Sequence, residues 1–400
     1  MNNKRVVITG VGVIAANAIG KDAFAKAIFE GVSGIKPISL FDTAEFKAKT
    51  AGEVADFKPQ DFLGDKGLRT LDRSTKLAAS ATKLAIDDSS LRINEENSRE
   101  LGVSLGATFG SIASISNFDR EALTDGPRYV NPGLFPNTVI NSPASQVSIK
   151  FNIKGFNATI SSAFCAGLDA IGYAADQIRL GRAKAVYSGG VEELCVQLFL
   201  GFYKAGCLAG LSGPEISVPF DKRRNGMILG EGACVLVLED LDAALMRKAD
   251  IYAEVLGFGR SFGPGNLGRA ISLALKESGL NAADIDFVSS CANSTKDLDL
   301  EETRALKEVF GSGASKIQVS AVKSMLGECY SASGSLQVAA AIAGITRQEV
   351  FPTINYKEKD AECDLNYVVN KAKSCKINKA LINVSGKSGY NSSLIISKYQ

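Results

Sequence analysis

Short runs of β-branched and apolar residues alternate with longer amphipathic segments along the whole chain, and few architectures can bury such a pattern. Arg5–Thr9 (RVVIT), Leu101–Leu105 (LGVSL), Ala185–Ser188 (AVYS) and Ala233–Leu238 (ACVLVL) have the length and composition of strands. Tyr252–Leu256, Phe287–Ser289, Ile317–Val319, Ala380–Val384 and Ser393–Ile396 read the same way. Between them, Asp72–Asp87, Leu168–Leu180 and Arg269–Ser278 carry apolar residues at helical spacing. Strands that alternate with helices in sequence are covered by helices in space, so the expectation is α/β architecture with helices on both faces of the sheets. Asn117–Asn137 is the longest stretch with no regular pattern, and loops of that length tend to serve function or an interface.

A chain of 400 residues is too long for one small core. Near Ile251 a second block opens, and its order of strands, loops and helices resembles that of the first. An internal duplication is expected, with residues 1–250 and 251–400 as its halves. No charged or Pro/Ser-rich linker divides them, so they should pack as one body. The net charge is +2, which argues against a nucleic-acid surface. No apolar run reaches the ~20 residues of a membrane span. The N-terminal segment through Gly20 reads as strand, turn and helix rather than a targeting signal, and the expected location is the cytoplasm. The eight cysteines form no CxxC pair and read as free thiols in a reducing compartment.

The chain has no histidine. Imidazole is the side chain whose unperturbed pKa lies nearest neutrality, so its absence removes the commonest acid-base catalyst and any Cys/His zinc site. The absence gains weight from five segments. Arg5–Val13 is RVVITGVGV, Pro219–Ala233 is PFDKRRNGMILGEGA and Val288–Thr295 is VSSCANST; Lys323–Gly334 is KSMLGECYSASG and Asn383–Asn391 is NVSGKSGYN. In this order and spacing they resemble the condensing enzymes of the β-ketoacyl-acyl carrier protein synthase II type. The corresponding family loops run PFDxxRDGFVxGEGA, VEAHGTGT, KSxxGHxxGAAG and NSFGFGGTN. The resemblance implies a thiolase-like fold: two βαβαβαββ halves in a five-layered α-β-α-β-α arrangement. It also implies decarboxylative condensation on a cysteine at a helix N-terminus, assisted by two histidines and ordered by a lysine.

The catalytic positions have changed. The family's TACxSGxxAIG is here Ser161–Gly172, SSAFCAGLDAIG, which puts Phe164 at the nucleophile position and Cys165 one residue later. One residue around a helix turns a side chain by ~100°, so Cys165 should face away from the cleft as a buried thiol. Cys291 and Glu328 hold the two histidine positions. A thiol is a poor neutral donor, and a carboxylate would repel a developing enolate. The retained Lys323 is expected to form a structural ion pair with Glu328. Lys387 stands where the family's mobile gating loop carries phenylalanine, and Asn225 replaces the aspartate of the RDG block.

Coordinated loss on an intact scaffold resembles the chain-length factor, the ketosynthase β subunit of type II polyketide synthases. That likeness implies a heterodimer with a ketosynthase α subunit, which supplies the chemistry. Acyl groups would arrive on the phosphopantetheine of an acyl carrier protein, with no cofactor held by this chain. Products of such heterodimers include aromatic, anthraquinone-like polyketides, favoured here, and aryl polyenes. The β subunit would shape the elongation tunnel, with Phe109, Ile112, Ser116, Phe118 and Gly133 as lining or interface candidates. Gly133 could also be a simple turn glycine, and the apolar candidates ordinary core. The strand Asn157–Ser161 would pair across the dimer axis. The alternative is an active synthase or acyltransferase that uses Cys165 or Cys291.

Overall fold

The computed structural model describes residues 4–400. The first half contributes β1 (Val6–Ala15), α1 (Arg73–Ser89), β2 (Leu101–Gly106), α2 (Ile112–Thr124), α3 (Ser142–Phe151) and β3 (Asn157–Ile160). It continues with α4 (Ala166–Arg179), β4 (Ala185–Glu192), α5 (Val196–Lys204) and β5 (Gly232–Asp240). The second half contributes β6 (Ala253–Phe262), α6 (Leu267–Ser278), β7 (Phe287–Ser289), α7 (Lys296–Phe310), β8 (Gln318–Ser320), α8 (Ser331–Arg347), β9 (Lys379–Ser385) and β10 (Tyr390–Ser397).

The strand order is β1-β5-β4-β2-β3 in one half and β6-β10-β9-β7-β8 in the other. In each, the first two pairings are antiparallel and the last two parallel. The two sets meet where Val6–Ile8 of β1 pairs antiparallel with Ala253–Val255 of β6. Helices occupy equivalent links: α1 and α6 follow the first strand of each half, α3 and α7 the second, α4 and α8 the third. α4 and α8 pack on each other between the sheets, while α1 with α3, and α6 with α7, cover the outer faces. This is the five-layered thiolase-like arrangement. α8 (SASGSLQVAAAIAGITR) is buried on nearly its whole surface, and its small residues let three layers approach closely.

Two expectations are corrected. The glycines after Thr9 read as a turn, yet β1 runs on to Ala15. A Cβ at Gly12 would stand 1.9 Å from the Ala81 carbonyl oxygen, so the glycines let α1 lie directly on the strand. Gly259 does the same for α6 in β6, with 2.1 Å to the Ala270 oxygen. The stretch expected to be irregular contains the last two turns of α2 and a 3₁₀ segment, Pro132–Thr138. α2 has no fully buried residue, so no core-facing stripe marks it in the sequence.

Candidate functional site

The loops that resemble catalytic loops converge where α4 and α8 begin. β3 ends at Ile160, and the chain turns through Ala163, which has the left-handed φ of 52°, into α4. Thr108 Oγ1 donates to the Ala163 carbonyl at 2.7 Å and braces the turn. Phe164 projects inward, its ring centroid 5.0 Å from that of Tyr330. Tyr330 also meets Phe109 at 5.5 Å and Phe202 at 4.9 Å, so four aromatic rings close the space at the elbow. Gly386, in the C-terminal loop, roofs the plug: a Cβ there would lie 2.4 Å from Phe164 Cδ2. Tyr330 is fully buried with φ 46°, and its hydroxyl finds no hydrogen-bond partner among the described residues.

Cys165 points away from this space, as the helical offset requires. It is fully buried, and its Sγ donates to the Val384 carbonyl at 3.3 Å. Burial, and then Asp169, push its thiol far above the usual range. Asp169 is itself held up by burial while accepting from the Ser162 and Ser392 hydroxyls. Cys291 is fully buried as well, and burial, then Glu302, keep it protonated. Both thiols are thus enclosed and held toward the protonated form.

Glu328, at the position expected for the second histidine, is held on all sides. Its Oε2 accepts from Lys323 Nζ at 2.7 Å and from Asn293 Nδ2 at 2.9 Å. Its Oε1 accepts from Ser333 Oγ at 2.6 Å and from the Tyr330 N–H at 3.2 Å. Lys323 and Glu328 are 2% and 0% exposed, and the lysine also donates to the Cys291 carbonyl at 3.0 Å. Burial opposes the ammonium, but the adjacent carboxylate outweighs it and raises the lysine's pKa. A buried ion pair is tolerable only when its remaining donors and acceptors are met, and here Glu328 is engaged on both oxygens. Two of its donors are departures from the quoted family loops: Asn293 stands where VEAHGTGT has threonine, and Ser333 where KSxxGHxxGAAG has alanine. The sequence reading missed both. Their signal was present in the same loops as side chains newly able to donate to a carboxylate.

The other candidates divide. Phe109 and Ile112 pack with the aromatic cluster and α5, half-buried. Ser116, one turn further along α2, is half-buried. Phe118 meets Phe135 edge-on at 6.2 Å, on the outside of that cluster. Gly133 is exposed in the 3₁₀ segment, where its N–H donates to Asn131 Oδ1. An added Cβ would meet only that oxygen, at 3.1 Å, so within this chain it is a turn glycine. Lys387 is exposed and lies 3.4 Å from Asp297. Asn225 braces its own loop, accepting from the Gly210 N–H and donating to the Pro214 carbonyl.

A thiolase-like double half with an elbow, a KSxxG loop and a C-terminal glycine loop meeting at one point defines the condensing enzymes. Residues 3–244 match the model of the "Beta-ketoacyl synthase, N-terminal domain" and residues 261–357 that of the "Beta-ketoacyl synthase, C-terminal domain". The chain belongs to the β-ketoacyl synthase family. It is similar to the 3-oxoacyl-[acyl-carrier-protein] synthase 2 of Coxiella burnetii, 36% identical over all of this chain and 99% of the relative. That of Synechocystis is 35% identical over the same shares. Among solved structures, the ishigamide ketosynthase/chain length factor superposes with a TM-score of 0.92 at 32% identity, covering all of both chains. A type II polyketide ketosynthase solved with its acyl carrier protein and a hexaketide gives 0.92 at 29% identity, again over both whole chains. Among the described residues no helix is long and apolar enough to cross a membrane.

Proposed function

We propose that this chain is a non-catalytic chain-length factor that pairs with a catalytic ketosynthase α subunit. The observation that carries the reading is Phe164 at the nucleophile position, roofed by Gly386 and packed on Tyr330. A phenyl ring forms no thioester, and the ring occupies the space an acyl group would need. The partner supplies the cysteine and both histidines, and the acyl carrier protein brings acyl groups on its phosphopantetheine. This chain holds no cofactor of its own. The two solved relatives, one with a chain length factor and one with a carrier protein, support partners of these kinds.

The surface supports a large interface. Leu123, Tyr129, Phe135 and Ile149 are 87%, 75%, 59% and 72% exposed, with Val139 and Ile140 beside them in sequence. Among the described residues, β3, at the edge of the sheet, pairs only with β2 and offers its free side. An apolar patch beside an open strand edge is what an obligate partner covers. In the heterodimer, Phe109 and Ile112 form the end wall of the elongation tunnel, whose volume limits the number of ketide units. The product class is an aromatic, anthraquinone-like polyketide rather than an aryl polyene.

The test is co-expression with the cognate ketosynthase α. Turnover of malonyl carrier protein should require both chains, and Phe109→Ala or Ile112→Ala should lengthen the products seen by mass spectrometry. Condensation by this chain alone, or stoichiometric acylation of Cys165 or Cys291, would establish the active-synthase alternative instead. A monodisperse monomer of the isolated chain would remove the interface argument.

A further inference from the structure

Glu192 ends β4 and is fully buried, and among the described residues no lysine or arginine pairs with it. Its Oε1 accepts from the backbone N–H groups of Phe109 and Gly110, each at 3.1 Å. Its Oε2 accepts from the Thr108 N–H at 3.2 Å and from Ser331 Oγ at 2.5 Å. One carboxylate thus joins two segments by hydrogen bonds. One is the loop that carries Phe109 into α2. The other is the start of α8, where Ser331 follows Tyr330. The two rings on these segments meet edge-to-face at 5.5 Å.

Three features make this more than ordinary packing. The loop at Thr108–Gly110 continues from the last residues of β2 and belongs to no strand, so its N–H groups need an acceptor from elsewhere. Ser111 caps α2 with no side-chain hydrogen bond. Among the described residues, the side-chain acceptors for this stretch are Glu192, the last residue of β4, and, at the Ala113 N–H, Glu193 just after it. Ser331 stands where the quoted family loop has glycine, so the hydroxyl joining the two segments belongs to this chain's departure from the pattern. Burial is costly for such a carboxylate and pushes its pKa up to about 7, a cost borne to hold a loop.

We infer that Glu192, with Ser331, is the positioning residue of the end wall: it fixes Phe109 against Tyr330 and thereby sets the length of the product. This rests on the chain-length reading above. In Glu192→Gln the amide NH₂ must face either the Thr108 N–H or the Phe109 and Gly110 N–H groups, donor against donor. Ser331→Gly removes the hydroxyl, which reaches both Glu192 and the Val191 carbonyl, and leaves the carboxylate in place. In the isolated chain, amide exchange at residues 108–113 should rise about tenfold or more in Glu192→Gln, as expected when a buried donor loses its acceptor. In the heterodimer, both variants should shift products by at least one ketide unit or broaden their distribution. The control is Arg247→Gln, which breaks the Arg247–Glu239 pair at the far end of β5, where Glu192 pairs with the near end. It should lower stability and leave product length unchanged.

The outcomes separate the two ideas. If Phe109→Ala shifts product length while Glu192→Gln and Ser331→Gly do not, the pin is refuted and the chain-length reading stands. If Phe109→Ala also leaves length unchanged, the chain-length reading fails. If Arg247→Gln shifts length as the pin variants do, the effect is general loosening and the pin is refuted.

Discussion

Replacing Glu328 by glutamine should be among the most damaging single-atom changes in this protein. The perturbation keeps shape and volume and removes one charge. What remains is Lys323, 2% exposed, with its ammonium facing only the Cys291 carbonyl at 3.0 Å and an amide oxygen. Breaking a fully buried pair from one side typically costs ~3–5 kcal/mol, against 0–1 for a surface pair. The burial here argues for the upper range, about 4 kcal/mol. The reciprocal Lys323→Met should cost less, about 2–3 kcal/mol, because Glu328 keeps three donors, Asn293, Ser333 and the Tyr330 N–H. The double variant should cost less than the sum by ~2 kcal/mol or more, since the stranded charge disappears. Urea unfolding at fixed protein concentration, at pH 7.5, reads all of these. A cost below ~1 kcal/mol for Glu328→Gln would mean that water reaches the pair, and would refute its enclosure. Equal costs for the two single variants would refute the four-donor account of Glu328.

Gly386→Ala should destabilise strongly, because its Cβ lands 2.4 Å from the Phe164 ring, and Phe164→Ala in the same chain should relieve most of that loss; additive effects in the thermal midpoint would separate the two residues. Iodoacetamide under native conditions at pH 7 should leave Cys165 and Cys291 unlabelled for as long as the chain stays folded, since both are buried and held protonated; rapid labelling of either, read by peptide mass spectrometry, would overturn the inert-thiol account. Burial, and then Asp72, raise Glu193 from 4.5 to about 8, so the folded chain binds the extra proton between those values. Its stability contribution is therefore fullest below about pH 4.5 and is lost as pH rises toward 8, and Glu193→Gln should flatten the slope of urea midpoint against pH between 5 and 8. Parallel slopes for the variant and the natural chain would refute that assignment.

The alternating pattern was enough to reach the fold because each strand and each helix of the buried layers carries its own periodicity. The errors fell where side-chain pattern stops being the determinant. β1 looked shorter than it is because Gly10 and Gly12 have no side chains to report burial, although their absence is what admits α1. The same spacing recurs as Gly257 and Gly259, and that repeat was a readable sign of the duplication. α2 looked irregular because its partner surface is not a core. Phe164, Cys291 and Glu328 could be singled out from the sequence because each sits inside a loop pattern that the family resemblance supplies. Glu192 was not, since its partners lie 82 to 84 and 139 residues away in sequence and only the folded topology brings them together.

The character of the substitutions bears on why the scaffold persists. A site that merely decays leaves buried polar groups unmatched, and each such group costs stability on the order of 1–3 kcal/mol. Here the carboxylate at position 328 has Asn293 and Ser333 as donors, the ring at 164 lies under a glycine that permits it, and Ser331 supplies a hydroxyl to Glu192. Among the described residues, Tyr330 and Ser111 keep unmatched buried hydroxyls beside these groups. On the proposed reading, matching of that quality would maintain a rigid wall in place of a reactive cavity. A rigid wall has value when something is built against it. The exposed apolar run from Leu123 to Ile149 and the open edge of β3 lie on the elements that lead to and from that wall, α2, α3 and β3. The same short stretch of chain therefore carries both the surface that would meet a partner and the residues that would face its growing product, so partner binding and product length should respond together to changes in α2.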